Sequence, residues 1–62
     1  MGFKPILGLD LGMCTLGIAI SRSGHMASPL ENMHFPNGKF DDCYPRVIQY
    51  IRDNFIGLVV LG

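Results

Sequence analysis

The sequence predicts an α/β fold: three strands in antiparallel order, one helix, and a last strand parallel to the first. Three observations carry this reading. Two short runs, residues 5–11 and 15–21, alternate apolar with small or polar residues at period two. A later stretch repeats apolar residues at three- and four-residue steps, through Tyr44, Val47, Ile48, Ile51 and Phe55. The final run, Ile56 to Gly62, has no polar alternation, which is how a parallel strand buried on both faces reads.

The first strand opens on Pro5, a position where proline is tolerated. Its alternation puts Leu7, Leu9 and Leu11 on one face and Ile6, Gly8, Asp10 and Gly12 on the other. The second strand sets Leu16, Ile18 and Ile20 against Thr15, Gly17, Ala19 and Ser21. Gly12-Met13-Cys14 is short enough to join them as a hairpin, with Gly12 free to take a positive φ. Arg22-Ser23-Gly24-His25 carries a Ser-Gly turn pair and predicts a second reversal. Met26 to His34 is a weaker strand, and Pro29 bars it from the sheet interior. Phe35 to Lys39 reads as a loop. The helix then starts under a cap from Asp41 or Asp42, takes Pro45 in its first turn, and stops near Asp53-Asn54. A parallel pairing of the first and last strands requires a crossover, expected to be right-handed.

Length and composition narrow the function classes. Sixty-two residues allow one small domain or a piece of a larger one. Charged residues are 16% of the chain, hydrophobic ones 48%, and the net charge is zero. That balance excludes disorder, a basic nucleic-acid tail and an acidic solvating tail. No apolar run approaches the roughly 18 residues of a membrane span, no signal-peptide pattern is present, and the expected compartment is the cytoplasm. Cys14 and Cys43 lack metal or redox spacing and read as buried thiols. Met13, Met26 and Met33 read as core fillers, and His25 and His34 as loop or edge residues. One helix covers one sheet face only. The sequence therefore predicts an incomplete fold, whose apolar strand 56–62 is covered by a missing half-domain or by another copy of the chain.

Asp10 is the candidate site. It stands mid-strand between leucines, with Gly8 and Gly12 beside it on its own face and Thr15 and Gly17 opposite across the hairpin. Bare backbone around a carboxylate leaves room for a phosphate, a metal or a nucleotide. A buried, unpaired carboxylate is costly, so such an acid is paired, metal-bound or functional. The competing glycine motifs fail. Gly12 to Gly17 has P-loop spacing, but Ile18-Ala19 stands where Lys and Ser or Thr must reach phosphate and Mg²⁺. No helix follows the first strand to serve a dinucleotide.

The segments Ile6-Leu7-Gly8-Leu9-Asp10-Leu11-Gly12, Thr15-Leu16-Gly17-Ile18-Ala19-Ile20-Ser21, Pro29-Leu30-Glu31 and Leu58-Val59-Val60-Leu61-Gly62 together resemble the amino-terminal half of the YqgF/RuvX family. These are Holliday-junction-resolvase-like nucleases of the RNase H superfamily, associated with pre-16S rRNA processing. The resemblance implies that residues 1–62 are the amino-terminal part of a single RNase H-like domain with a mixed sheet. It implies metal-dependent endonuclease action on RNA phosphodiester bonds, with pre-rRNA or branched DNA as the nucleic-acid partner. Asp10 then matches the family's first-strand carboxylate, a catalytic ligand of Mg²⁺ or Mn²⁺. Gly8, Gly12, Thr15 and Gly17 form the backbone along which substrate approaches. The family's other acids lie in the second half of the fold, so the chain by itself is expected to be inactive. Glu31, Asp41, Asp42 and Asp53 are poorly placed to replace them. Two other readings stay open. One is the first segment of an actin, heat-shock-protein or sugar-kinase type ATPase, although Met13 stands where that group often has Thr. The other is a non-catalytic interaction module.

Overall fold

The computed structural model describes residues 3–62 and contains the expected mixed sheet. Strands β1 (Ile6–Leu11), β2 (Thr15–Ser21) and β3 (Ser28–His34) are followed by a 3₁₀ turn (Phe40–Cys43), helix α1 (Tyr44–Asp53) and strand β4 (Leu58–Leu61). The strand order is β3-β2-β1-β4. β1 pairs antiparallel with β2 and parallel with β4, and β2 pairs antiparallel with β3.

The register follows from the alternation. Leu7 faces Ile20, Leu9 faces Ile18 and Leu11 faces Leu16, so both greasy rows fall on one side of the sheet. Leu7, Leu16, Ile18, Phe35 and Cys43 form the buried core there, and Val47, Tyr50 and Ile51 of α1 pack onto it. Phe55 does not extend this row: the helix ends at Asp53, and Phe55 is 80% exposed. Ile48 is exposed as well, because the face turned to the sheet runs through Tyr50 instead.

The helix ends are built differently from expectation. Neither Asp41 nor Asp42 caps α1; both sit in the 3₁₀ turn, and the N-cap residue is Cys43, with no side-chain cap bond. Pro45 occupies the first turn, where its missing N–H costs nothing. At the far end Asn54 Nδ2 donates to Tyr50 O at 3.0 Å, and the Ile56 N–H donates to Ile51 O at 3.1 Å. The latter is a Schellman-type closure, with Phe55 at φ 53° in the left-handed position usually held by glycine.

Three further expectations are corrected. β4 is not buried: Leu58, Val59, Val60 and Leu61 are each 42–68% exposed, because it lies at the sheet edge with no neighbouring strand on its far side among the described residues. Met13 and Met26 are 75% and 78% exposed, one at the hairpin tip and the other in the loop before β3, and only Met33 packs on the core. Cys14 is exposed and only Cys43 is buried. β3 is an edge strand, as Pro29 requires. Among the described residues no helix is long and apolar enough to cross a membrane.

Candidate functional site

Asp10 lies near the carboxyl end of β1, on the sheet face opposite the core. Its partner on β2 is Gly17, and Gly17 in turn pairs with Asn32 on β3. The three residues form one row across the sheet. Gly8 and Ala19 make the neighbouring row, so a shallow floor of backbone runs beside the carboxylate. This floor is the base of an open cleft of about 600 Å³, lined by Asn32 of β3 toward one sheet edge and by Val60 and Gly62 at the other, with Asp10 of β1 between them. Among the described residues the Asp10 carboxylate has neither a hydrogen bond nor an ion pair, and it is exposed. Its exposure corrects the expectation of a buried acid, since water screens the carboxylate and no desolvation cost demands a partner, and it forms no ion pair with Lys4.

Gly17 sets the width of the site. A Cβ built there would lie 3.6 Å from Asp10 Cβ and 3.8 Å from Asn32 Oδ1. Asp10 and Asn32 therefore stand on either side of one methyl-sized gap. Gly8 is more open still, with Ala19 O at 3.9 Å its nearest neighbour. Gly12 acts in another way. It is not at positive φ; its N–H donates to Thr15 O at 2.8 Å, and a Cβ would meet Thr15 Oγ1 at 2.7 Å. Glycine at 12 thus accommodates the Thr15 hydroxyl rather than supplying a left-handed turn, and a larger residue would require that hydroxyl to rotate away. Thr15 faces His34 across the β2–β3 ladder, two residues along from Asp10's row.

Asn32 has no signal in the sequence beyond lying in a weak edge strand. Its face is set by an irregularity that alternation cannot reveal. Ile18 pairs with Glu31 but Ala19 pairs with Pro29, so β3 carries one extra residue, Leu30, as a bulge. Glu31 is held on the opposite, helix-facing side. Tyr50 Oη donates to Glu31 Oε1 at 2.6 Å and Arg46 Nε donates to the same oxygen at 2.8 Å, with the guanidinium 5.2 Å from the Tyr50 ring. These bonds hold the Glu31 carboxyl below its usual range and push the Tyr50 hydroxyl up. Glu31 is therefore occupied beneath the sheet and does not share Asp10's face. Asp41 and Asp42 lie in the 3₁₀ turn and Asp53 at the end of α1. Among the described residues no group of three His, Cys, Asp or Glu side chains is placed to hold a metal ion.

Comparison with known proteins follows the motifs. Over 56 residues, 90% of this chain, it is 39% identical to a protein of Aster yellows witches'-broom phytoplasma named "Putative pre-16S rRNA nuclease", covering 37% of that protein. A protein of the same name from Onion yellows phytoplasma is 41% identical over 56 residues, with 37% of it covered. One from Staphylococcus epidermidis is 40% identical over 58 residues, 92% of this chain and 41% of that protein. No protein-family profile matches the chain. The chain spans about two fifths of the length of the curated relatives it matches. The resemblance to pre-16S rRNA nucleases is borne out over about 90% of the chain, and the relatives' names do not favour the ATPase reading.

Proposed function

We propose that this chain carries the first-strand carboxylate of a metal-dependent endonuclease that hydrolyses RNA phosphodiester bonds in pre-16S rRNA processing. The observation that carries the reading is Asp10 itself: an unpartnered carboxylate standing over a glycine floor, open to a chain-shaped ligand. The relatives are named as nucleases of pre-16S rRNA, which supports the nuclease and RNA parts of the reading.

The described residues fit a divalent ion in part. Asp10 offers one hard oxygen donor of the kind Mg²⁺ or Mn²⁺ takes, while the rest of an octahedral shell has no carboxylate here to draw on. When bound, such an ion would stabilise the charge that develops on phosphodiester oxygens. The Asp10 carboxylate would hold the ion, and the floor of Gly8 and Gly17 would let the sugar–phosphate chain come close. The missing acids are assigned to the longer protein. The N–H of Gly62 donates to Leu9 O at 2.8 Å, so any residues that continue the chain emerge at the same sheet end as Asp10. By itself the 62-residue chain is inactive on this reading, and the remainder of the domain covers strand β4. The working compartment is the cytoplasm.

The test uses the longer protein with single-stranded RNA and a titration of Mg²⁺ and Mn²⁺. Cleavage should require the ion and fall at least about a hundredfold in Asp10→Asn, a change that leaves the exposed side chain's shape intact. Cleavage by Asp10→Asn at the parent rate would refute the assignment. Saturable ATP binding without RNA cleavage would replace it with the ATPase reading.

A further inference from the structure

We infer that Asn32 is a second substrate-contacting side chain, one that reads the ribose 2′-hydroxyl of an RNA strand lying at Asp10. The inference rests on the proposed ribonuclease function and narrows its substrate to RNA over DNA. Three observations carry it. Asn32 Oδ1 and Asp10 Cβ stand 3.8 Å and 3.6 Å from the same point above Gly17, so both side chains reach one nucleotide seated there. The Asn32 side chain is exposed on the open face and its carboxamide has no protein hydrogen-bond partner among the described residues, so it is free to meet a ligand, unlike Glu31 beside it, whose carboxylate is doubly bonded. Among the described residues no lysine or arginine lines the cleft.

The last point selects the group that Asn32 meets. Phosphate is normally held by cationic side chains, and a neutral amide is a weak substitute. A carboxamide both donates and accepts, and so does a 2′-hydroxyl, the group that distinguishes RNA from DNA. A 3′-phosphodiester and the 2′-hydroxyl of the same sugar are carried by adjacent ring carbons, so groups a few ångströms apart can meet both. With the phosphodiester at Asp10 on β1, a hydroxyl lying across Gly17 of β2 would meet Asn32 on β3. Its position is fixed from below. The Leu30 bulge and the Glu31 bonds to Tyr50 and Arg46 hold Glu31 under the sheet, which turns Asn32 to the open face.

The experiment measures binding of matched single-stranded RNA and DNA oligonucleotides to the longer protein, by fluorescence anisotropy, in the parent, Asn32→Ala, Asn32→Leu and Asp10→Asn. The parent should prefer RNA. Both Asn32 variants should lose about fivefold of that preference, the worth of one neutral hydrogen bond, while Asp10→Asn keeps it. The readout is a ratio within one preparation, so partial unfolding lowers both affinities and leaves it unmoved. A parent without preference, or Asn32 variants with an unchanged ratio, would overturn the inference. Cleavage assays on the same proteins separate the two readings: loss of the nuclease proposal shows as an unaffected Asp10→Asn, whatever the Asn32 ratio does.

Discussion

On the proposed nuclease reading, Gly17→Ala should make the longer protein more stable and a poorer nuclease at once. The added methyl meets its nearest atoms at 3.6 Å (Asp10 Cβ), 3.8 Å (Asn32 Oδ1) and 3.9 Å (Asp10 O), which is ordinary van der Waals contact. Gly17 lies within β2 and is not at positive φ, so alanine adopts the same backbone without strain. Removing a glycine from a strand then reduces the freedom of the unfolded chain, for a gain of about 0.4–1 kcal/mol, or roughly 1–4 °C in Tm. The same methyl occupies the gap between Asp10 and Asn32. A substrate displaced by about 1 Å can lose up to about a hundredfold in rate, so kcat/KM on single-stranded RNA should fall tenfold or more. Gly57→Ala is the control. Its Cβ would lie 2.6 Å from Lys4 Cβ and 2.9 Å from Lys4 Cδ, a clash that overpacking data put at about 1–3 kcal/mol. That variant should melt lower yet cleave normally per folded molecule. The assay pairs thermal melting with single-turnover RNA cleavage. A Gly17→Ala protein that melts higher and cleaves like the parent would remove the substrate from this face. One that melts lower would show the gap above Gly17 to be needed for folding.

Other outcomes follow from the helix and the thiols. Phe55→Gly should raise Tm, because a left-handed non-glycine residue costs about 1–2 kcal/mol and this ring, 80% exposed, returns little burial. The Glu31 carboxyl is held below its ordinary value, so its contribution to stability is present above that value and is lost as pH falls through the lowered one. The raised Tyr50 hydroxyl behaves oppositely: its contribution is intact below the ordinary tyrosine value and disappears as pH rises through the raised one. Melting curves of Tyr50→Phe should therefore flatten relative to the parent at both extremes of pH, and parallel curves would contradict the Glu31–Tyr50 bond. A thiol reagent should modify Cys14 quickly and Cys43 only on unfolding, since Cys43 is 1% exposed and burial pushes its thiol up. Fast loss of two thiols under native conditions would refute the core position of Cys43.

The sheet was legible where side-chain alternation alone decides the face. Leu7, Leu9 and Leu11 against Leu16, Ile18 and Ile20 needed only period two, and the observed register pairs them. Asp10 was legible for the same reason, as the one acid among the small residues of its face. Asn32 was not, because the bulge at Leu30 breaks the parity on which the reading depends. The helix cap failed differently: Asp41 and Asp42 are good capping residues, but Cys43 is drawn into the core, which shifts the helix start beyond them. For β4 the continuous aliphatic run read correctly as a parallel strand and wrongly as a buried one. Burial belongs to the neighbours, and the sequence of a strand cannot say whether they are present.

That exposure bears on how the open face is completed. The chain leaves 4532 Å² accessible, against about 4,000 Å² for a compact protein of its mass. The open side is not uniform. Val60 borders the cleft at one edge and belongs to a strand that is apolar throughout, whereas Asp10 stands on the next strand in and Asn32 on the far edge strand, with the Gly17 backbone between them. Apolar side chains there favour a packed cover, since each gains about 25 cal/mol for every Å² withdrawn from water. A cover that ran on across Gly17 would strip water from an unpartnered carboxylate, which costs more than the neighbouring glycines and alanine could return. The energetically sound boundary therefore falls between β4 and the Asp10–Gly17–Asn32 row. Whatever packs on the first must stop short of the second, leaving the row as a lip at which a polymer can enter.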